Sequence, residues 1–279
     1  MPRPLNNAIP IDSEPSIAEP YRLISTTAAV IAIGVGLLVL LGWILGIEAI
    51  VAVAPGFATM KANTALSILV AGLSLLFLRS SVSRRGPYVP KPALVGQMGG
   101  LLVAFVALLS LAEYAFHLDF GIDQFLLQDP WTNPEIAPPG RMSIATAFGF
   151  LMLGASLFLL GRREFLIAVA SQILALISMA DAVIGCLGYV YGVHGLYAVT
   201  AYTTMAVHTA LVLLLLGIGA LFAEPGRGLI ADIMSKYDGG RAARHILPLA
   251  VTLPFVIGWL RLQGEHAGLY GTEFGLALF

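Results

Sequence analysis

Met60-Lys61-Ala62-Asn63-Thr64-Ala65-Leu66, Arg141-Met142-Ser143-Ile144-Ala145-Thr146-Ala147-Phe148 and Thr204-Met205-Ala206-Val207-His208-Thr209-Ala210-Leu211 are three versions of one phrase, Met-x-x-x-Thr-Ala-(Leu/Phe). Self-similarity at a long period constrains architecture before any single residue does. Each phrase opens an apolar run. Seven residues after its Ala stands a glycine, Gly72, Gly154 or Gly217, which permits close helix contact in lipid. The apolar runs that precede the phrases rhyme as well, ending in Gly42-Trp43, Glu113-Tyr114 and Gly188-Tyr189, with a fourth at Gly258-Trp259. Five residues beyond the aromatic come Glu48, Asp119 and His194, and in the fourth run Gly264 with Glu265 beside it. The unit reads as a helical hairpin, with about 22–79, 94–160 and 165–222 complete and 245–279 cut short. Its Trp or Tyr is expected to anchor at the membrane interface, and its Thr to bond the backbone one turn back.

Composition agrees. Of 279 residues, 58% are hydrophobic and 11% charged, where soluble domains carry roughly a quarter charged residues. Mean hydropathy is +0.88. The fold class expected is all-α: a polytopic bundle with seven transmembrane helices, at about 23–47, 60–79, 94–116, 142–160, 165–190, 204–222 and 245–262, plus the start of an eighth at Glu273. Each stretch approaches the roughly 20 apolar residues a crossing needs. A net charge of -1 offers no field for nucleic acid. The single cysteine, Cys186, lies in an apolar run and excludes a disulfide framework. Residues 1–21, polar and Pro-rich, read as a cytoplasmic tail. With the N-terminus inside, Arg3, Arg22, Arg79, Arg84, Arg85, Lys91, Arg162, Arg163, Arg227, Lys236, Arg241 and Arg244 all fall on the cytoplasmic side, as positive residues do. Lys61, Arg141 and Arg261 remain on the other. The localisation expected is a bacterial inner membrane.

At Met60 to Leu66, Pro139-Gly140-Arg141-Met142-Ser143 through Phe148, Gly188-Tyr189-Val190-Tyr191-Gly192 with Leu196-Tyr197, and Gly258-Trp259-Leu260-Arg261 through Glu265-His266-Ala267-Gly268-Leu269-Tyr270, the chain resembles the N-terminal multi-transmembrane sensor region of bacterial histidine kinases. The same region precedes PAS, GAF and diguanylate cyclase modules. The resemblance implies an input module whose eighth helix feeds a cytoplasmic signalling domain or a partner kinase, and by analogy a homodimer. No histidine sits in a phosphoacceptor helix and no ATP-binding glycine box follows, so the chain itself is not expected to be an enzyme.

Ionisable groups inside membrane helices are costly and usually face the bundle interior. Asp181 is the clearest. Gly185, Gly188 and Tyr189 share its face, so its carboxylate is expected to point at a neighbouring helix, as a structural bond, a ligand or ion contact, or a proton-exchange site. Glu113 and His117, at i and i+4, form a second group with Tyr114. His208 occupies the place that Asn63 and Ala145 hold in the other phrases. Convergence of these residues would make a polar vestibule beneath the outer surface, for a metal, for a small organic or lipid-soluble signal, or for structural hydrogen bonding alone. Arg261 and Glu265 form a third patch, most simply a surface ion pair. The loop 117–141 is either a lid or, more simply, a solvated connector. No cofactor is legible, and no P-loop, nucleophile elbow or H-E-x-x-H motif is present. A sensory input module is the leading reading, a small-solute transporter or channel-like protein the alternative.

Overall fold

The computed structural model describes residues 15–54, 57–82, 91–132, 137–162, 164–191, 198–200, 203–235 and 237–268. Its helices are α1 Pro15–Leu45, α2 Glu48–Ala52, α3 Ala62–Val82, α4 Lys91–Phe116, α5 Ile144–Leu159, α6 Phe165–Tyr191, α7 Val207–Leu221, α8 Gly228–Ile233 and α9 Asp238–His266. Apart from an antiparallel ribbon of β1 Ala198–Thr200 with β2 Thr203–Thr204, every regular element among the described residues is helical. The run from Glu273 and the loop residues 192–197 lie outside them. α1 is described from Pro15, inside the expected tail.

Among the described residues, four helices are long and apolar enough to cross a membrane: α1 from Tyr21, α3 as far as Ser81, α4 and α6. The expected all-helical bundle is thus met, with four helices of sufficient length among the described residues. α5 and α7 are apolar but have 16 and 15 residues, about 24 and 22 Å at 1.5 Å per residue, against a hydrocarbon layer of about 30 Å.

Six helices close a ring: α1 packs on α3, α3 on α4, α4 on α5, α5 on α6, α6 on α7, and α7 back on α1. α3, α5 and α7 also touch one another, so they form the inner set and α1, α4 and α6 the outer. The inner helices fill the axis with Ile68, Leu75, Phe150, Leu153, Leu157, Leu213 and Leu216, all fully buried. The outer helices turn apolar side chains away from the protein, Leu37, Leu38 and Leu41 on α1, Leu101, Leu102 and Phe105 on α4, Ile173, Leu176 and Ile184 on α6. That inverted surface suits lipid and would aggregate in water.

Small residues set the helix spacing. A Cβ on Gly154 would lie 2.5 Å from the Ala104 nitrogen and 2.7 Å from the Gly100 oxygen, so α4 and α5 touch backbone to backbone, as small residues allow. Gly72 presses on Ala29 and Ile33 of α1, and Gly217 on Ala175 and Met179 of α6. Ala29, Gly100 and Ala175 each stand 14 residues before the terminal aromatic of their helix. The phrases therefore meet their partner helices in one register.

The ends are built alike too. α1 ends with Gly46 at φ +68° and the Ile47 N–H donating to the Gly42 oxygen at 2.9 Å; α4 ends with His117 at φ +53° and the Leu118 N–H donating to the Glu113 oxygen at 3.1 Å. Both are Schellman ends, with the left-handed residue three beyond the aromatic. At the opposite end of the bundle Tyr21 stacks on Phe222 at 5.4 Å, and the Gln97 amide donates to the Leu160 oxygen at 3.1 Å.

Candidate ligand-binding site

The three aromatics do more than mark an interface. Trp43 Nε1 donates to the Met60 oxygen at 2.9 Å, Tyr114 Oη to the Met142 oxygen at 3.1 Å, and Tyr189 Oη to the Met205 oxygen at 2.6 Å. These carbonyls lie just before the first ones the inner helices use, those of Lys61, Ser143 and Ala206, so a side-chain donor satisfies each. The bond fixes each phrase against the end of its own outer helix. Met60, Met142 and Met205 are consequently fully buried.

The phrases converge on a cavity of about 400 Å³, within the range of small-molecule sites. Its polar groups include Thr64, Thr146 and Thr209, the fifth residue of each phrase, with Lys61, Ser143 and Arg141. Its apolar lining includes Met60, Met142, Phe57 and Trp131, and Glu48 also contributes. Below lies the packed leucine and phenylalanine core described above.

The 117–141 loop lines the cavity with Trp131, Thr132, Ala137 and Pro138, and it is pinned. The Asp129 carboxylate receives Lys61 Nζ at 2.7 Å, Thr132 Oγ1 at 2.7 Å and the backbone N–H groups of Trp131, Thr132 and Gly140 at 3.0, 3.2 and 2.9 Å. Trp131 meets Trp43 edge to face at 4.6 Å. A second pin joins Arg141 Nε to Asp123 Oδ2 at 2.6 Å and to Glu113 Oε2 at 3.4 Å. The loop is more than a solvated connector at two points: Asp123 and Asp129 are buried, Asp129 with Lys61 and neutral donors in place of water and Asp123 with Arg141 on Oδ2, its Oδ1 having no hydrogen-bond partner among the described residues.

Electrostatics differ at the two pins. Burial pushes the Asp123 carboxyl up to about 6, with the Glu113 and Asp119 charges adding to the rise and Arg141 opposing it. Burial would raise Asp129 as well, but the Lys61 hydrogen bond and charge, with Thr132 and the Gly140 N–H, hold it below the ordinary carboxylate value. Burial would lower the Arg141 guanidinium, yet its bond to Asp123 and the charges of Asp123 and Glu113 hold it above the usual value. Glu113, Asp119 and Asp123 bring carboxylate oxygens within 4.8 Å of one another, a spacing a metal ion could share. Arg141 already supplies positive charge there.

The sequence-predicted residues are distributed unequally. Glu113 is fully buried, its Oε1 accepting the Phe120 N–H at 2.8 Å, and Tyr114 holds Met142. His117 is exposed at the left-handed helix end, so it does not share a continuing helical face with Glu113. Asn63 and His208 are one residue off the Thr register and do not line the cavity. His208 lies against the backbone of Val51, away from the cavity. Asp181 points at α5, its Oδ2 2.7 Å from where a Gly149 Cβ would sit, and that oxygen has no hydrogen-bond partner. Arg261 and Glu265 both fall within α9, which continues to His266, and neither lines the cavity.

Sequence reasoning missed Lys61, Arg141, Asp123, Asp129 and Trp131 as site residues. It gave the threonines only a bond to the backbone one turn back. Their threefold recurrence at one register was the available signal.

Comparison with protein-family models, curated proteins and solved structures returns no match for this chain.

Proposed function

We propose that this chain is the membrane-embedded sensory input module of a bacterial signal-transduction protein: three equivalent hairpins hold a small outer-face ligand and pass its binding to a cytoplasmic output. The observation that carries the proposal is the cavity whose polar groups include the same threonine of each hairpin, Thr64, Thr146 and Thr209. A ligand touching all three biases the relative positions of three helix pairs at once, which gives binding a route to the far end of the bundle. The resemblance of the Met60, Arg141, Gly188 and Gly258 segments to kinase sensor regions supports the same reading. In it α5, α7 and α9 also cross the bilayer, the N-terminus is cytoplasmic, the cavity opens outward, and a homodimer sits beside a signalling domain or a partner kinase.

A carrier needs a path through the membrane that opens alternately to each side. Phe150, Leu153, Leu213 and Leu216 fill the axis below the cavity without exposure, which favours the sensor. The test is reconstitution of the purified chain in liposomes with uptake of labelled sugars, amino acids and carboxylates. The sensor reading expects no flux above protein-free liposomes, and saturable uptake of any of them overturns it in favour of transport.

A further inference from the structure

The hydrogen-bonding capacity left free in the cavity defines what it accepts. Lys61 has three N–H donors, and all three are taken, by Asp129 at 2.7 Å, Thr132 at 2.5 Å and Thr59 at 3.0 Å. The Arg141 guanidinium faces two carboxylates, Asp123 at 2.6 Å and Glu113 at 3.4 Å from its Nε, and its Nη2 donates to the Leu118 oxygen at 3.3 Å. Both cations on the lining are therefore neutralised by buried carboxylates of the surrounding structure, and neither has charge to offer an anion. Glu48 is exposed.

The threonines are the opposite case. Thr64, Thr146 and Thr209 are at most 3% exposed, yet their hydroxyls are under-used. Thr64 Oγ1 reaches Asn63 Oδ1 only at 3.4 Å, beyond a good O–H···O distance. Thr146 Oγ1 accepts from Ser143 Oγ at 2.8 Å, which leaves its own proton to donate. The Thr209 hydroxyl has no partner among the described residues. Buried polar groups without partners are costly, and a ligand that completes them recovers that cost. Met60, Met142, Phe57 and Trp131 provide apolar surface beside them.

Resting on the outer-face binding site just proposed, we infer that the ligand is an uncharged small molecule with a hydroxyl or carbonyl head, held by the hydroxyls of Thr64, Thr146 and Thr209, and an apolar body lying against Met60, Met142 and Trp131. An ion is disfavoured because it would give up its hydration in a cavity that offers it no unpaired counter-charge beyond the exposed Glu48.

The charge preference can be read without the natural ligand. In a Cys186→Ser background, a Thr209→Cys variant of the whole chain in liposomes is treated with three methanethiosulfonates of similar size: hydroxyethyl (neutral), sulfonatoethyl (anionic) and trimethylammonioethyl (cationic). Rates are normalised to those with free 2-mercaptoethanol. The neutral reagent is expected to react at least about tenfold faster than either charged one. Thr64→Cys provides the same measurement at a second wall should Thr209→Cys fail to fold. Faster reaction of the anionic reagent would assign the cavity to anions, and of the cationic reagent to amines attracted by Glu48. No reaction with any reagent would mean that outer solutes do not reach the threonines. Each of these three results overturns the inference. The two proposals fail separately: neutral preference together with solute flux leaves the ligand class standing and removes the sensor, while loss of neutral preference without flux does the reverse.

Discussion

Replacing Arg141 with Met tests how the cavity is enclosed. The guanidinium is 8% exposed and the two carboxylates it holds, Glu113 and Asp123, are 0% and 7% exposed as side chains. Arg141→Met also removes the bond to the Leu118 oxygen and the contact 5.4 Å from the Tyr114 ring centre. Removing one partner of a buried pair costs about 3–5 kcal/mol. Asp123 already titrates near 6 with the guanidinium present. Without it the carboxyl is pushed further up, which limits the charge left behind and places the loss near the lower figure, about 3 kcal/mol. The assay is reversible unfolding in mixed micelles by titration with sodium dodecyl sulfate, followed by tryptophan fluorescence. The loss should be larger at pH 8 than at pH 5, and the double variant Arg141→Met/Asp123→Leu should recover part of it. A loss under about 1 kcal/mol at pH 8, a figure typical of an exposed pair, would refute the argument that this pin is buried and shared.

Other expectations follow from the same geometry. Tyr114→Phe and Tyr189→Phe each remove one equivalent hydrogen bond to a methionine carbonyl, so each should cost about 0.5–1.5 kcal/mol in the same titration; a loss at one position and none at the other contradicts their equivalence. Gly154→Ala should destabilise by about 1–3 kcal/mol, since its Cβ meets backbone at 2.5 Å, while Gly34→Ala, with nothing within 4 Å, should cost nothing; equal effects would show that α4 and α5 do not touch there. Asp123 binds a proton more tightly in the folded chain, from about 3.8 unfolded to about 6 folded. Its contribution to stability is therefore present below pH 4 and falls as pH rises to about 6, then stays level. Asp129 is shifted the other way, so its contribution is present above about pH 4 and is lost as pH falls below that value. Comparing wild type with Asp123→Asn should isolate the first trend, and parallel pH profiles would deny it.

Much of this fold was legible in the chain. The Met-x-x-x-Thr-Ala phrases and the aromatics before them gave the starts and ends of α3 to α7 to within a few residues, because apolar run length and a repeated register report helix position directly, whereas α1 and α9 extend well beyond the expected bounds. The same register placed Gly72, Gly154 and Gly217 against their partner helices. The site was only partly visible. Asp129 and Asp123 sit in a segment rich in Asp and Pro, a composition shared by solvated loops, and their burial depends on Lys61 and Arg141, distant in sequence. Glu113 and His117 were paired by helical spacing, but the helix ends at Phe116 and His117 is itself left-handed, which no periodicity records. His208 and Asn63 attracted notice as polar residues inside apolar runs, whereas the cavity uses the threonine one residue further on. A one-residue shift on a helix turns a side chain by about 100°.

The central claim is that filling the cavity is felt at the opposite end of the bundle. The direct test is hydrogen–deuterium exchange of the Cys186→Ser/Thr209→Cys chain in nanodiscs, before and after its thiol is capped by the neutral hydroxyethyl group, read over residues 224–244. The account predicts a change in exchange there of at least about threefold, equivalent to about 0.65 kcal/mol, together with protection of the 118–132 loop. Protection of the loop alone, with residues 224–244 exchanging as before, would leave a binding site that reports to nothing and contradict the sensor.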